Sequence, residues 1–473
     1  MRIFKKDKIM KKRLLILLIP MLVLSCGEDF TLLSPISERN VGNFYKTQTD
    51  LEVAITGAYG ALQSNGNFGV NYILFMEMRG DNADNGGGDT GLAASLAQIN
   101  KFQEIATAGE LKSTWASSYQ GIAWCNTILA KIDDVDFTDD TVKDQIKGEA
   151  LFIRSLLYYH LAVIFGNIPE QFEEVTTPDI TINQVPASEI FARIATDLET
   201  AEGLLPTTTS NGRATSGAAA ALLGRVYLQA GNKAAAVAPL QRVIASTAGY
   251  GLVDNYADIW GPSNELNKES IFEVQFKSGS NEGSAYTDMF TPNGLGGGVG
   301  GGVKPQIETE EILNAFEAGD ERFTGTFTEV VDTTTSDTTY YVGKYDSSPT
   351  VAFDGDNNWI EIRYAEVLLN LAEALGEGGP AYDLINEVRS RAGLADIDAN
   401  TPGTFEEKLL QERRVEFAFE NKRWPDLLRF GVAKSVMSAQ LGIPESQVKL
   451  LLPIPQSAID VAPDEMTQNP EHI

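Results

Sequence analysis

The side chains that most often carry out catalysis are scarce in this sequence. Its 473 residues include two histidines, His160 and His472, and two cysteines, Cys26 and Cys125. A histidine-dependent catalytic triad or a zinc site built from several histidines is therefore nearly excluded. The 65 acidic residues leave room for the carboxylate pair of a glycosidase, but no local pattern points to one. The sequence predicts a protein that is not an enzyme.

Two loop sequences match ligand-binding motifs only in part. The glycine run at 294–302 lacks the Lys and Ser/Thr that follow in a phosphate-binding loop. Asp354-x-Asp356-x-Asn358 begins like a calcium loop, but Trp359 stands where that loop needs Gly and Ala365 where it needs a bidentate Glu. We therefore predict no cofactor and no dedicated metal site, and leave the binding of an occasional calcium ion open.

Cys26 has the surroundings of a cysteine that becomes acylated. Residues 1–13 are strongly basic, and residues 14–24 form an apolar run that is too short to span a bilayer. The sequence Val-Leu-Ser-Cys at 23–26 resembles a bacterial lipobox, in which cleavage before the cysteine precedes lipidation. The sequence predicts a lipoprotein signal peptide at 1–25 and a lipidated tether at 26–40, and leaves the start codon open between Met1 and Met10.

The charged residues of the sequence indicate where the protein is located and which partners it does not bind. Glu28 and Asp29 directly follow Cys26 and resemble the acidic signal that sends some lipoproteins to the cell surface. The whole chain has a formal charge of −28, and residues 1–25 carry +6 of it, so the remainder is near −34. Such a surface repels nucleic acid. We expect a lipid-anchored outer-membrane protein, displayed at the cell surface, with no nucleic-acid partner.

A site for sugars would need flat aromatic faces beside amide, carboxylate or guanidinium groups. We selected aromatic residues in predicted loops, together with polar residues of the stretch "RGDNADN" at 79–85. The predicted ligand-binding residues are Tyr72, Arg79, Asp81, Asn82, Trp260, Tyr286, Phe290 and Trp359. Trp115 and Trp124 are assigned to the core, because they fall on a helical pattern.

Helical periodicity dominates the segments that must hold these residues. Two long helices are predicted between 111 and 165, and the second ends before Gly166. A first helix is predicted with a capping box from Thr49 to Glu52. The stretch 219–244 spaces small and large residues like a tetratricopeptide repeat, and 363–394 is a second predicted helix pair. Between them, about 250–360 is predicted to form long loops with a few short strands.

Four blocks of sequence together resemble the RagB/SusD family. They are "KGEALFIRSLLYYHLAVIFGNIPE", "RYAEVLLNLAEAL", "RRVEFAFENKRWPDLLRFG" and "LLPIPQSAID…TQNPEH", and they occur in the family's order. The resemblance implies a mostly α fold, with tetratricopeptide-like helix pairs forming a superhelical scaffold and a loop-rich, weakly β second region. We expect one domain at 41–473, with the scaffold at 41–250 and 360–430 and the ligand-side region at about 250–360.

The resemblance also implies a function and a partner. Such a protein would bind an oligosaccharide or polysaccharide and pass it, without catalysis, to a SusC-type TonB-dependent transporter. The alternative is the same architecture capturing peptides, as in RagB-type uptake, and a third possibility is a purely structural lid. Specific ligand contacts do not carry over, because they vary with the ligand among relatives.

One charged cluster has two explanations in the sequence. Arg423, Asp426 and Arg429 follow Glu412, Glu416 and Glu420, which are spaced four residues apart. Arginines beside carboxylates can hold a sugar, but ion pairs between packed helices explain the same spacing. We favour the structural explanation.

Overall fold

The fold is given by a computed structural model, which describes residues 44–85, 94–177, 181–209, 211–291, 303–305, 311–331, 336, 338–347 and 349–473. The predicted signal peptide, Cys26, the tether and the glycine run at 294–302 lie outside these residues. In the described part, α-helices far outnumber the short strands. The predicted mostly α fold class is confirmed.

The N-terminal half of the described chain is built from eight helices. They are α1 Gln48–Gln63, α2 Asn71–Glu77, α3 Ala94–Asn100, α4 Gly109–Lys131, α5 Asp140–Phe165, α6 Ala187–Leu204, α7 Ser216–Gln229 and α8 Lys233–Ile244. Helix α1 packs on α4, and each of α4 to α7 packs on the next helix. Successive helix pairs therefore stack side by side, as in a tetratricopeptide-like scaffold.

Helix α5 is the central helix of this stack. It is long and apolar enough to cross a membrane, but it lies buried inside the protein. It ends at Phe165 because Gly166 adopts a positive φ of 72°, a conformation that glycine adopts without strain. The two long helices predicted between 111 and 165, and the end of the second, are confirmed.

The pair α7 and α8 shows why small residues recur in this sequence. Gly224 on α7 faces Leu240 on α8, and a Cβ atom at Gly224 would lie 2.5 Å from that leucine side chain. Only glycine permits this close approach of the two helices. The connection between them turns at Gly231, whose φ is +76°. The helix pair predicted from the repeat pattern at 219–244 is confirmed.

The next region contains short elements separated by long connections. Its helices are α9 Tyr286–Phe290, α10 Glu311–Asn314 and α11 Arg322–Thr326. It also holds most of the described strands. Over the whole chain these are β1 Ala83–Asn85, β2 Ile168–Pro169, β3 Gln184–Val185, β4 Ser270–Val274, β5 Val303–Pro305, β6 Phe327–Val331, β7 Thr338–Val342 and β8 Trp359–Arg363. All described strand pairs are antiparallel and two-stranded: β1 with β5, β2 with β3, β4 with β8, and β6 with β7. Short strands within long loops are what the sequence predicted for this region.

The C-terminal helices return the chain to the scaffold. They are α12 Tyr364–Leu375, α13 Gly379–Arg391, α14 Phe405–Glu416, α15 Arg423–Arg429, α16 Ala433–Leu441 and α17 Gln456–Ile459. Helix α12 packs on both α8 and α13, so it continues the stack across the loop-rich region. The helix pair predicted at 363–394 is confirmed.

Candidate ligand-binding site

The five predicted ligand-binding aromatics lie inside the protein. Tyr72 belongs to α2 and is fully buried, Tyr286 and Phe290 belong to α9, and Trp359 begins β8. Trp260 is 8% exposed and the other four at most 1%. The prediction that these rings stand in exposed loops is wrong, because short helices and a strand turn them inward. That these rings contact a ligand stays a prediction, but the solvent exposure on which that prediction was based is not present.

Four of the five predicted rings converge around Tyr345, which the sequence analysis did not select, whereas Tyr72 packs on Phe68 and His160. Trp359 stacks on Tyr345 with centroids 5.5 Å apart, and Tyr286 lies 5.3 Å from Trp359. Phe290 and Trp260 pack on the same Tyr345 at 5.0 and 5.9 Å. These five residues form what we call the ring cluster. Burial raises the pKa of Tyr345 well above its usual range, so its hydroxyl donates to the Phe419 carbonyl, at 2.7 Å, and stays neutral.

The predicted polar residues Arg79, Asp81 and Asn82 are also buried. The Arg79 guanidinium forms an ion pair with Glu104 and lies between the rings of Phe102 and Trp424, 4.6 and 4.8 Å from their centroids. Such placement over rings is a cation–π contact. These side chains are engaged inside the protein, and their contact with a ligand stays a prediction.

Asp81 and Asn82 are held by arginines from the C-terminal helices. Asp81 accepts hydrogen bonds from Arg423 at 2.6 and 2.8 Å, and Asn82 Oδ1 accepts one from Arg414 Nε at 2.8 Å. Burial by itself would raise the pKa of Asp81, but the charge of Arg423 lowers it below its ordinary value. Residues 81 and 423 are far apart in the sequence, so no local motif predicts this ion pair.

The glutamates of the charged cluster are structural, as favoured from the sequence. Arg363 on β8 binds Glu269, Glu416 and Glu420 at 2.5–2.7 Å, and Arg322 binds Glu412 at 2.6 Å. These side chains are almost fully buried. The arginines that bind the glutamates are, however, not those of the block at 423–429: Arg429 pairs with Glu373 and Asp426.

Two tryptophans assigned to the core differ in their placement. Trp115 is half-buried and packs against the core, but Trp124 is 38% exposed. The core assignment of Trp124 is wrong, because its position on α4 points away from α1 and α5. The helical pattern at 111–132 was correct, but one large residue on a helix does not define the buried face.

His160 and the aspartates of the loop at 354–358 are held by contacts within the protein. His160 is buried, stacks on Tyr72 with centroids 4.6 Å apart, and places Nε2 3.3 Å from Glu361. Burial lowers the pKa of His160. Asp354 and Asp356 accept backbone N–H bonds from Gly279 and Ser278. Within the described residues there is no group of three or more His, Cys, Asp and Glu side chains that could hold a metal ion.

An exposed groove with both polar and apolar walls lies between α1, the chain before α7, and β4. It consists of two adjoining cavities of about 510 and 220 Å³, which share Gly212, Arg213 and Glu273. Gln63 and Gln275 contribute amides to the larger one. We call this surface the polar groove. It brings amide, guanidinium and carboxylate groups together in a concave surface, which is the polar set that sugar hydroxyls require.

The walls of the polar groove are fixed by hydrogen bonds. The Gln63 side chain donates to the Gln275 carbonyl at 2.7 Å, and Arg213 donates to Glu149 at 2.9 Å and Thr56 at 2.7 Å. The Arg213 guanidinium also lies over the Tyr59 ring, 5.4 Å from its centroid. Sequence analysis missed this surface, because its residues come from three distant segments and match no motif.

Glu77 should make the stability of the protein depend on pH. It is fully buried beside the loop at 419–421, and its Oε1 accepts the Asn421 backbone N–H. Burial raises the pKa of Glu77 to about 8, although the hydrogen bond from the Asn421 backbone N–H and the charges of Lys344 and Lys422 oppose the rise. A raised pKa means that the folded state binds the proton more tightly than the unfolded state. The corresponding stabilisation is complete below the unfolded pKa of about 4.3 and is lost as pH rises to about 8.

A Glu77→Gln variant should lack this dependence, because its amide stays neutral. We expect it to be more stable than the parent protein at pH 8, by about 1 to 4 kcal/mol, and to differ little from it near pH 5. Urea unfolding at both pH values measures the effect, with the exposed Glu406→Gln as control. Parallel stability profiles for the parent and Glu77→Gln would show that Glu77 is ionised in the fold.

Comparison with known proteins gives consistent matches along the chain. Residues 39–228 match the family model described as "Starch-binding associating with outer membrane", and residues 314–449 match the model of the SusD family. SusD-like protein P2 of Formosa agariphila is 27% identical, over 92% of this chain and 96% of that protein.

Solved structures with the same architecture are also similar over nearly their whole length. A laminarin-binding SusD-like protein is 28% identical, with a TM-score of 0.80, and the match covers 90% of this chain and 100% of that one. Surface glycan-binding protein A from Bacteroides fluxus is 26% identical, with a TM-score of 0.77, and the match covers 90% and 99% of the two chains.

Proposed function

The chain is a member of the SusD-like family, and from this premise we propose that it binds an oligosaccharide or polysaccharide at the cell surface without hydrolysing it. The observation that carries the proposal is the match to the laminarin-binding protein, which spans the whole of that chain. Laminarin, a β-glucan, is therefore the first ligand to test.

The polar groove is the described surface that suits such a ligand best. It is open to solvent and concave, and it offers Gln63, Arg213 and Gln275 beside the ring of Tyr59. The ring cluster lies beneath the loop-rich region and stabilises it, in this proposal, without touching the sugar. The predicted residues Tyr72, Trp260, Tyr286, Phe290 and Trp359 then act on binding only through the fold.

Native gel electrophoresis with laminarin in the gel tests both the function and the surface. We expect laminarin to retard the parent protein, and the double variant Gln63→Ala/Asn211→Ala to bind about tenfold more weakly, because two polar groups of the groove are lost. The matched control is Glu329→Ala/Thr339→Ala, which removes two exposed side chains from the β6–β7 hairpin of the loop-rich region.

The outcomes separate the site from the function. Retardation that is lost only in the hairpin variant would move the site to the loop-rich region and leave the function intact. A parent protein that migrates unchanged in laminarin and in other glycans would contradict the function itself. The relatives named above refer to laminarin and surface glycans, so the peptide alternative has no support from them.

Delivery of the glycan to a SusC-type TonB-dependent transporter completes the proposed function. It requires the protein to stay at the outer membrane, which in our proposal depends on lipidation of Cys26. Acyl chains on one residue anchor a protein stably when there are two or more of them.

The lipid anchor predicts a large change in location. Replacement of Cys26 by alanine should remove the site of lipidation and release the protein from the membrane fraction. Fractionation of cells that produce each form measures this, and the Ser25→Ala variant, which keeps the cysteine, is the control. Retention of Cys26→Ala in the outer membrane would contradict the lipoprotein assignment.

A further inference from the structure

A second groove, distinct from the polar one, is strongly apolar. It lies between α4, the β2–β3 region and the C-terminal segment, and its volume is about 380 Å³. Trp115, Tyr119, Val175, Val461 and Met466 are among the residues that line it. We call this surface the apolar groove.

Several apolar side chains in the apolar groove are exposed to solvent. Val461 is 76% exposed and Val175 46%. Trp115 and Tyr119 form an aromatic pair with centroids 5.1 Å apart, and neither residue is fully buried. A contiguous exposed apolar surface of this kind marks a place where another apolar surface or ligand binds.

The described chain begins beside this groove. Tyr45 packs against the core, and the charge of Glu174 is one of the causes, after burial, that raise its pKa. Glu174 is held by Lys131 at 2.6 Å and directly precedes Val175 in the wall of the groove. The segment that precedes residue 44 therefore joins the protein body toward the Val175 end of the apolar groove.

The segment before residue 44 contains the apolar residues that binding in the apolar groove requires. Between Cys26 and residue 43 it carries Phe30, Leu32, Leu33 and Ile36, grouped around Pro35. From Ile36 to the start of the described chain at 44 is a span of eight residues, which can reach up to about 25 Å when extended. The apolar residues are therefore within reach of the groove, and burying them there removes apolar surface from water.

We propose that residues 30–36 of the chain bind in the apolar groove. The bound segment would cover Val175 and Val461 with its own leucine and isoleucine side chains. Only residues 27–29 would then separate it from Cys26, a distance of about 14 Å at most. The tether would thus hold the protein body close to its anchor point instead of allowing it to move freely above the membrane.

Disulfide cross-linking tests this proximity directly in the full-length lipoprotein. Val461→Cys is combined, one at a time, with Leu32→Cys, Leu33→Cys or Ile36→Cys, since the buried Cys125 does not compete. With an added oxidant, we expect at least one of the three pairs to cross-link nearly completely within the same molecule. The control pairs use Val331→Cys, which is also exposed but lies on the β6–β7 hairpin.

Hydrogen exchange provides an independent readout that does not depend on a cross-link. In the variant Leu32→Ser/Leu33→Ser, we expect amide exchange at 168–177 and 456–466 to rise about tenfold, while α7 and α8 stay unchanged. Ser34→Ala/Ser37→Ala is the control for changes in the tether. The proposal is overturned if the groove pairs cross-link no better than the Val331 pairs, or if the leucine variant leaves exchange at the groove unchanged.

Discussion

Replacing Arg363 by alanine is expected to lower the free energy of unfolding by about 3 to 5 kcal/mol, a large part of the total for a protein of this kind. Arg363 is 1% exposed, and its guanidinium binds three carboxylates, those of Glu269, Glu416 and Glu420. Without it, these buried carboxylates lose their shared cation in a place where water cannot replace it. Urea or thermal unfolding measures the loss.

The control for Arg363→Ala is Arg242→Ala. Arg242 forms an equally short ion pair with Glu202, at 2.6 Å, but its side chain is 51% exposed. An exposed pair contributes about 1 kcal/mol or less, so this variant should be nearly as stable as the parent protein. Similar losses for the two variants would show that burial does not decide the strength of these pairs.

The same network determines the response to acid. Burial alone would raise the pKa of Glu416, but the charges of Arg391 and Arg363 lower it below its ordinary value. A lowered pKa stabilises the fold above the unfolded value of about 4.3, and this contribution is lost as pH falls below it. Arg363→Ala should therefore show a weaker loss of stability in acid than the parent protein.

Replacing Trp359 by alanine is expected to cost about 3 to 5 kcal/mol, the range for removing a large aromatic side chain from a core. Trp359 is fully buried, stacks on Tyr345, and donates from Nε1 to Glu361 at 3.3 Å. Alanine would leave a cavity at the centre of the ring cluster. Unfolding by urea, followed by far-UV circular dichroism, measures the change.

The same substitution on α4 provides the matched control. Trp124 is 38% exposed, and Trp124→Ala should change the stability by less than about 1 kcal/mol. If Trp359→Ala were as stable as Trp124→Ala and lost glycan binding, Trp359 would be a binding residue, as the sequence analysis predicted. A loss of binding together with a loss of stability would instead reflect damage to the fold.

The helices were predictable because their signals are local. The repeat at 219–244 fixed the spacing of Gly224 and Leu240, and their close contact is the reason for that spacing. Boundaries were less certain. The capping box of α1 is formed by Thr47 and Asp50 and not by Thr49 and Glu52. Both pairs have the required spacing, so the spacing alone does not determine where the helix begins. The start of the helix also depends on the packing of Leu51 and Ile55 in the core.

The candidate site was less predictable, because burial is not a local property. Trp359 follows a loop sequence rich in Asp and Asn, which resembles exposed chain, but β8 pairs with β4 and is buried along its whole length. Ile360, Glu361, Ile362 and Arg363 alternate in polarity, a pattern that indicates a strand with one face exposed, so it gives no sign that the charged face is buried too. The strand belongs to the core because Glu361 and Arg363 form ion pairs with residues such as Arg225 and Glu416, which are distant in the sequence.

The buried arginines have a consequence for the proposed function. Arg363 and Arg322 join β8 and α11 to α14, and Arg423 joins α15 to the segment after α2. The scaffold and the loop-rich region are thus tied together by charges that require well-defined geometry. A rigid frame of this kind suits a protein that presents a fixed surface to a ligand and to a transporter.

The central claim is that the protein binds a glycan, and calorimetry tests it most directly. Residues 27–473 would be titrated with laminarin oligosaccharides, with other glycans and with a peptide mixture under the same conditions. We predict saturable heat from one glycan class, with laminarin oligosaccharides first, and none from peptides. Saturable heat from the peptides, with no response to any glycan, would contradict the account.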